Sequence, residues 1–116
     1  MAGSLQCGQI IWAEIADANG ILKSRPAVII TPDDQITPGG TFQVVAVTST
    51  LAVPMPADHI LLPWHAQGHS RTGLNRKCAA VCSWMATISA KDVQSVSGRV
   101  SGPIFAQIAA KIPSRP

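Results

Sequence analysis

Two short apolar runs rich in β-branched residues, Ala27-Val28-Ile29-Ile30 and Val44-Val45-Ala46-Val47, constrain this chain more than any other feature. Neither alternates polar with apolar residues and neither is long enough for a helix, so each reads as a strand buried on both faces. Both deliver polar groups at one end. Arg25-Pro26 leads into the first run, and Thr48-Ser49-Thr50 closes the second. Pro26 pushes Arg25 into extended backbone and is tolerated at the first position of a strand, which holds the guanidinium at a rim instead of in the core. A fixed cation beside hydroxyl donors suits a phosphate.

Other segments carry the same β character. Gln9 to Ile15 reads as a first strand, and the Asn19-Gly20 turn signal in the loop from Asp17 to Ser24 returns the chain antiparallel into the Arg25 strand. Pro32, Asp33, Asp34, Pro38, Gly39 and Gly40 form a dense turn cluster before a strand from Phe42 to Thr48. Pro54 and Pro56 make the next loop irregular, and His59 to Leu62 follows as a short strand. After a polar, Gly-punctuated stretch from Trp64 to Lys77, Cys78–Cys82 and Trp84–Ile88 form two short strands or one strand bent at Ser83. Ser101 as N-cap, Pro103 in the first turn and apolar residues at helical spacing up to Ile112 predict the one helix, which Pro113 stops. The pattern predicts a mainly β small barrel of five to seven antiparallel strands with a C-terminal helix packed on it. One domain is expected over residues 1–116, with a loose lead-in at 1–6 and a frayed tail at 113–116.

Charge and cysteine content bound the function classes. Nine Lys and Arg against six Asp and Glu leave a net charge of +3, a modest bias toward polyanions that an ordinary soluble basic protein would also show. Three cysteines and an N-terminus without a secretory pattern place the expected location in a reducing cytoplasm. No apolar run approaches the roughly 20 residues that cross a bilayer, so no membrane partner is expected. Cys78-x3-Cys82 with His65-x3-His69 has ligand types suited to zinc but the wrong spacing, and buried free thiols are the expected reading. Neither a metal nor a cofactor is expected, and no nucleotide-binding loop, Ser-His-Asp order or Cys-x-x-Cys motif competes.

Taken in order, Gly8-Gln9-Ile10-Ile11-Trp12-Ala13, Gly20, Arg25-Pro26-Ala27-Val28-Ile29, Val47-Thr48-Ser49-Thr50, Leu62-Pro63, Thr72-Gly73-Leu74 and Gly98-Arg99-Val100-Ser101 make the chain similar to the PemK/MazF-like toxins. The resemblance runs from about Cys7 to Ile112. It implies an SH3-like barrel, a homodimer, metal-independent cleavage of single-stranded RNA as an mRNA interferase, and neutralisation by a small antitoxin protein. By position, Arg25 and Thr48 fall on the family's catalytic arginine and threonine. In the fifth-strand segment many members carry an acidic residue and then an arginine, where this chain has Ser83 and Ala86.

Cleavage of this kind uses the ribose 2′-hydroxyl as nucleophile, so the protein must stabilise charge on the five-coordinate phosphorus while protons move. DNA lacks that hydroxyl, and no direct contact with DNA is expected. A guanidinium offers paired donors to phosphate oxygens at every working pH, which suits Arg25, although an ion pair with Glu14, Asp17, Asp33 or Asp34 would also account for it. Thr48 is a good donor and a poor base. His59, His65 and His69 have the right pKa for proton transfer but occupy no matched family position, and surface histidines are the commoner case. Gly20, Lys23, Ser49, Thr50, Arg71, Lys77 and Ser83 complete the expected substrate-binding set. Arg76 is a further phosphate candidate, and Trp64, Trp12 and His65 are stacking candidates. Trp12 and Trp84 read more readily as core or dimer-seam residues. Two other readings stay open: a catalytically impaired member, and a non-enzymatic module that binds a protein target such as gyrase.

Overall fold

The computed structural model describes residues 5–17, 19–51 and 53–112; the expected frayed tail at 113–116 and residues 1–4 of the lead-in lie outside them. Six strands and one helix follow in order: β1 (Gln9–Ala16), β2 (Leu22–Ile29), β3 (Thr41–Thr48), β4 (His59–Leu61), β5 (Ala79–Ser89), β6 (Ser95–Arg99) and α1 (Gly102–Lys111). All neighbours are antiparallel, in the sheet order β4-β5-β3-β2-β1-β6.

The continuous apolar runs are explained by two cores, one on each face of the sheet. Ile10, Val28, Ile30, Val45 and Val47 pack with Leu62, Leu74, Cys78 and the helix residue Ile108. Residues of the opposite parity, Ile11, Ala13, Ile15, Ala27, Ile29, Val44 and Ala46, pack with Phe42 and Ile88. Each fully buried Ile or Val contributes about 1.5–3 kcal/mol, so β1 to β3 hold both cores at once.

The loop from Leu62 to Cys78 connects edge strand β4 to β5 and reaches across to the other edge strand, β6. Leu62 N–H donates to Cys78 O at 3.1 Å at one end of that loop, and Arg99 N–H of β6 donates to Arg71 O at 2.8 Å near its middle. The sheet therefore curls into the expected SH3-like barrel, and α1 packs on β4 and β5. Ser101 Oγ accepts from Ile104 N–H at 3.3 Å, the predicted N-cap, worth about 1 kcal/mol.

Two details differ from the expectation, and a third settles an alternative. Strand β2 begins at Leu22, so Pro26 lies inside the strand and not at its first position. It is tolerated because the β2–β3 ladder starts only at Ala27↔Ala46, leaving the half from Leu22 to Pro26 an edge paired to β1 alone. Strand β6 was not expected as a strand at all. Of the two arrangements open for Cys78 to Ile88, the structure has the single bent strand: the β3–β5 register slips between Val45↔Met85 and Val47↔Ala80, around Ser83.

Candidate functional site

Arg25 and Thr48 sit across from one another where the β2–β3 ladder opens. Extending the register Ala27↔Ala46 by one alternation on each strand brings these two side chains to the same face. Both line an open groove of about 460 Å³, together with Lys23, Ser49 and Thr50 from the expected set. Trp12, Arg76, Asn75, Leu74 and Cys78 supply the remaining walls and floor, with Ser24, Pro26 and Val47. Among its described walls the charged side chains are Lys23, Arg25 and Arg76, with no carboxylate, so the groove favours a polyanion.

The Arg25 side chain is fixed from three sides. Its Nε donates to Ile15 O at 3.3 Å, its Nη2 lies 3.8 Å from Asp17 Oδ2, and its Cζ sits 4.8 Å from the centre of the Trp84 ring. The Asp17 contact is a single-point pair at the edge of ion-pair range, and the side chain stays 18% exposed, so the cation is oriented without being neutralised. Asp17 is committed elsewhere. Its Oδ1 accepts from Asn19 and Ile21 N–H at 2.8 and 3.1 Å, and these backbone hydrogen bonds, ahead of the charges of Arg25 and Lys23, hold its carboxyl below the usual range. Trp84, expected in the core or a seam, is half-buried beneath the guanidinium and donates from Nε1 to Ala16 O at 3.1 Å.

Thr48 is oriented as well. Its Oγ1 accepts from Thr50 N–H at 3.1 Å, which occupies a lone pair and leaves the hydroxyl proton to be donated. Its own contact to Thr50 O, at 3.5 Å, is too long to hold that proton firmly.

Four residues of the expected binding set are not walls of this groove. Arg71 lies in a separate depression with Arg99, two residues before a bend at Gly73, whose φ is +71°. Lys77 is exposed but outside the walls, although its neighbours Arg76 and Cys78 belong to them. Gly20 serves the β1–β2 turn with φ +80°. Ser83 lies beside Asp17 and Trp84 on the bend of β5, and its hydroxyl donates a short hydrogen bond to Asp58 Oδ2.

Asp58 was missed by sequence reasoning. It stands next to the position where the family's acid is replaced by Ser83, and it also pairs with His59 Nδ1 at 2.9 Å. The Ser83 hydrogen bond, then that of His59, lowers its pKa. Nothing in the spacing of Asp58 and Ser83 signals the contact, which only the β4–β5 pairing creates. None of the histidines lines the Arg25 groove. His65 Nδ1 accepts from Gln67 N–H, and His69 Nδ1 accepts from Arg71 and Thr72 N–H, so both rings brace loop turns. Trp64 is exposed and also outside the groove.

Cys78 and Cys82 are buried free thiols, as expected, and burial pushes Cys78 up to about 11. Among the described residues no three His, Cys, Asp or Glu converge as a metal site, and no helix is long and apolar enough to cross a membrane.

Solved structures share this fold. A MazF from Deinococcus radiodurans superposes with a TM-score of 0.73 at 16% identity, covering 96% of this chain and 94% of its own. The Mycobacterium tuberculosis toxin MazF-mt6 gives 0.69 at 21% identity over 90% and 91%. A mycobacterial endoribonuclease in complex with its cognate antitoxin gives 0.70 at 13% identity over 97% and 100%. No curated protein sequence matches the chain. The family model for the PemK-like, MazF-like toxin of type II toxin-antitoxin systems matches residues 6–114. With the barrel and the Arg25–Thr48 groove inside that span, the chain belongs to this toxin family.

Proposed function

We propose that the protein is a cytoplasmic, metal-independent endoribonuclease that cleaves single-stranded RNA, works as a homodimer and is silenced by a small antitoxin. The observation that carries this reading is the groove in which Arg25, Thr48, Lys23 and Arg76 meet with no opposing carboxylate among the described walls. A strand laid in it presents a phosphate to the guanidinium and to the Thr48 hydroxyl. The neighbouring 2′-hydroxyl then attacks phosphorus and the bond to O5′ breaks, leaving a 2′,3′-cyclic phosphate and a 5′-hydroxyl. Arg25 and Thr48 stabilise the negative charge that grows on the equatorial oxygens, which is where preorganised donors of this kind lower a barrier most. Their fixed orientation means little reorganisation accompanies that step. The neighbours solved as MazE–MazF complexes support an antitoxin partner. Exposed Leu61 on edge strand β4 and Val96 on edge strand β6 leave apolar surface for a second copy.

One observation favours the second reading, a binder without catalysis or an impaired nuclease: among the described walls of the groove there is no imidazole or carboxylate to move protons. Incubating purified protein with RNA oligonucleotides in EDTA separates the two. Fragments ending in 2′,3′-cyclic phosphate support the nuclease. Intact RNA with a captured protein target supports the binder.

A further inference from the structure

A second depression of about 700 Å³ lies apart from Arg25 and is walled by Arg71, Arg99, Ser70, Ser101 and Phe105. No carboxylate is among its described walls. Hydrogen bonds hold the two arginine-bearing segments against each other. Arg99 N–H donates to Arg71 O at 2.8 Å, and Ser97 Oγ donates to Thr72 O at 2.6 Å. Thr72 is buried and anchored in turn, its hydroxyl donating to Pro63 O at 2.8 Å. A Cβ on Gly98 would meet Arg71 O at 2.0 Å, so the loop lies flush on β6.

Arg99 is pre-oriented by Nη2 contacts to Gln6 Oε1 at 3.2 Å and Cys7 O at 3.5 Å. Neither arginine has an ion-pair partner among the described residues. Asp33 accepts from Cys7 N–H at 2.6 Å but is not a wall of the depression. Both arginines wall one depression, and an anion bound between like charges turns their mutual repulsion into attraction to the ligand. The first turn of α1, at Ser101 and Gly102, adds the positive end of its dipole.

We propose that this depression is a second phosphate-binding site that takes a backbone phosphate of the RNA strand away from the cleaved linkage. It rests on the RNA reading above. An RNA strand fits better than an acidic protein segment because the loop carrying Arg71 also supplies Leu74, Asn75 and Arg76 to the Arg25 groove. The two depressions share that wall. Phe105 adds an aromatic face for a base.

The test is equilibrium binding to a 2′-O-methylated single strand, which cannot be cleaved, followed by fluorescence anisotropy across a salt series. Arg71→Gln/Arg99→Gln is expected to weaken binding for every base sequence and to reduce the salt slope by about 0.7, the share of one phosphate on a single strand. Arg71→Gln alone, which leaves the Arg99 contacts to Gln6 and Cys7 in place, shifts the slope in the same direction in a protein with unchanged melting. Wild-type affinity and slope in both variants overturn the proposal. So does a loss confined to an acidic peptide, or to inorganic phosphate, with strand binding intact. If the slope changes as expected while the wild type never cleaves RNA, the phosphate site stands and the nuclease reading falls.

Discussion

Replacing Gly98 by Ala should loosen the clamp between β6 and the loop that walls both depressions. Gly98 does not need a left-handed backbone, so the effect is steric alone. The new methyl would lie 2.0 Å from Arg71 O and 2.7 and 2.8 Å from Thr72 C and O, where ordinary contact begins at 3.4 Å. The loop must therefore retreat by more than an ångström. That displacement breaks the Arg99 N–H to Arg71 O hydrogen bond and strains Ser97 Oγ to Thr72 O. Two net hydrogen bonds at about 0.5–1.5 kcal/mol each, with part of the strain of overpacking, give an expected loss of about 2–4 kcal/mol. Against a typical total of about 5–15 kcal/mol this is a large fraction. Urea unfolding should show a lower midpoint with an unchanged slope, since the surface exposed on unfolding is the same. A loss below about 0.5 kcal/mol, the range of an ordinary surface substitution, would refute the clamp.

Further outcomes follow from the hydrogen bonds and burial around the groove. Ser83→Ala removes the hydrogen bond that does most to lower the Asp58 pKa, so carboxyl NMR titration should place Asp58 closer to the ordinary carboxylate value. Because a depressed folded pKa contributes stability above the unfolded value and loses it as pH falls through the folded one, the variant should lose less stability on acidification. Trp84→Ala removes the ring beneath Arg25 and the donor to Ala16 O; melting should register a loss of about 2–3 kcal/mol, with RNA cleavage falling alongside it. Alkylation at neutral pH should spare Cys78, whose thiol is buried and pushed up to about 11, until denaturant is added; modification mapped to Cys78 in the native protein would contradict its burial.

What the sequence made legible was whatever burial writes into side-chain type. The β-branched runs of β2 and β3 reported strands with two buried faces, and Ser101 with Pro103 reported the start of α1 within a residue. Arg25 and Thr48 were legible because each terminates such a run. Strand β6 was not, since Ser95-Val96-Ser97-Gly98-Arg99 is largely exposed and is held by backbone pairing to β1. The early start of β2 escaped for the same reason: Leu22, Lys23 and Ser24 are exposed and pair only with β1. Trp84 under Arg25 and Asp58 against Ser83 depend on strand pairings between distant segments, which leave no periodic trace. Arg71 was expected at the rim of the Arg25 groove and lies instead in the depression beside Arg99, because the loop that carries it packs on β6 at Gly98, a contact that leaves no sequence pattern.

The most direct measurement compares single-turnover cleavage of RNA in EDTA by the wild type, Arg25→Ala and Thr48→Val, each shown folded by its melting curve. Cyclic-phosphate products are expected from the wild type and a loss of about 10²-fold or more for each variant, with strand binding largely kept. A folded Arg25→Ala variant that cleaves at the wild-type rate would contradict that expectation.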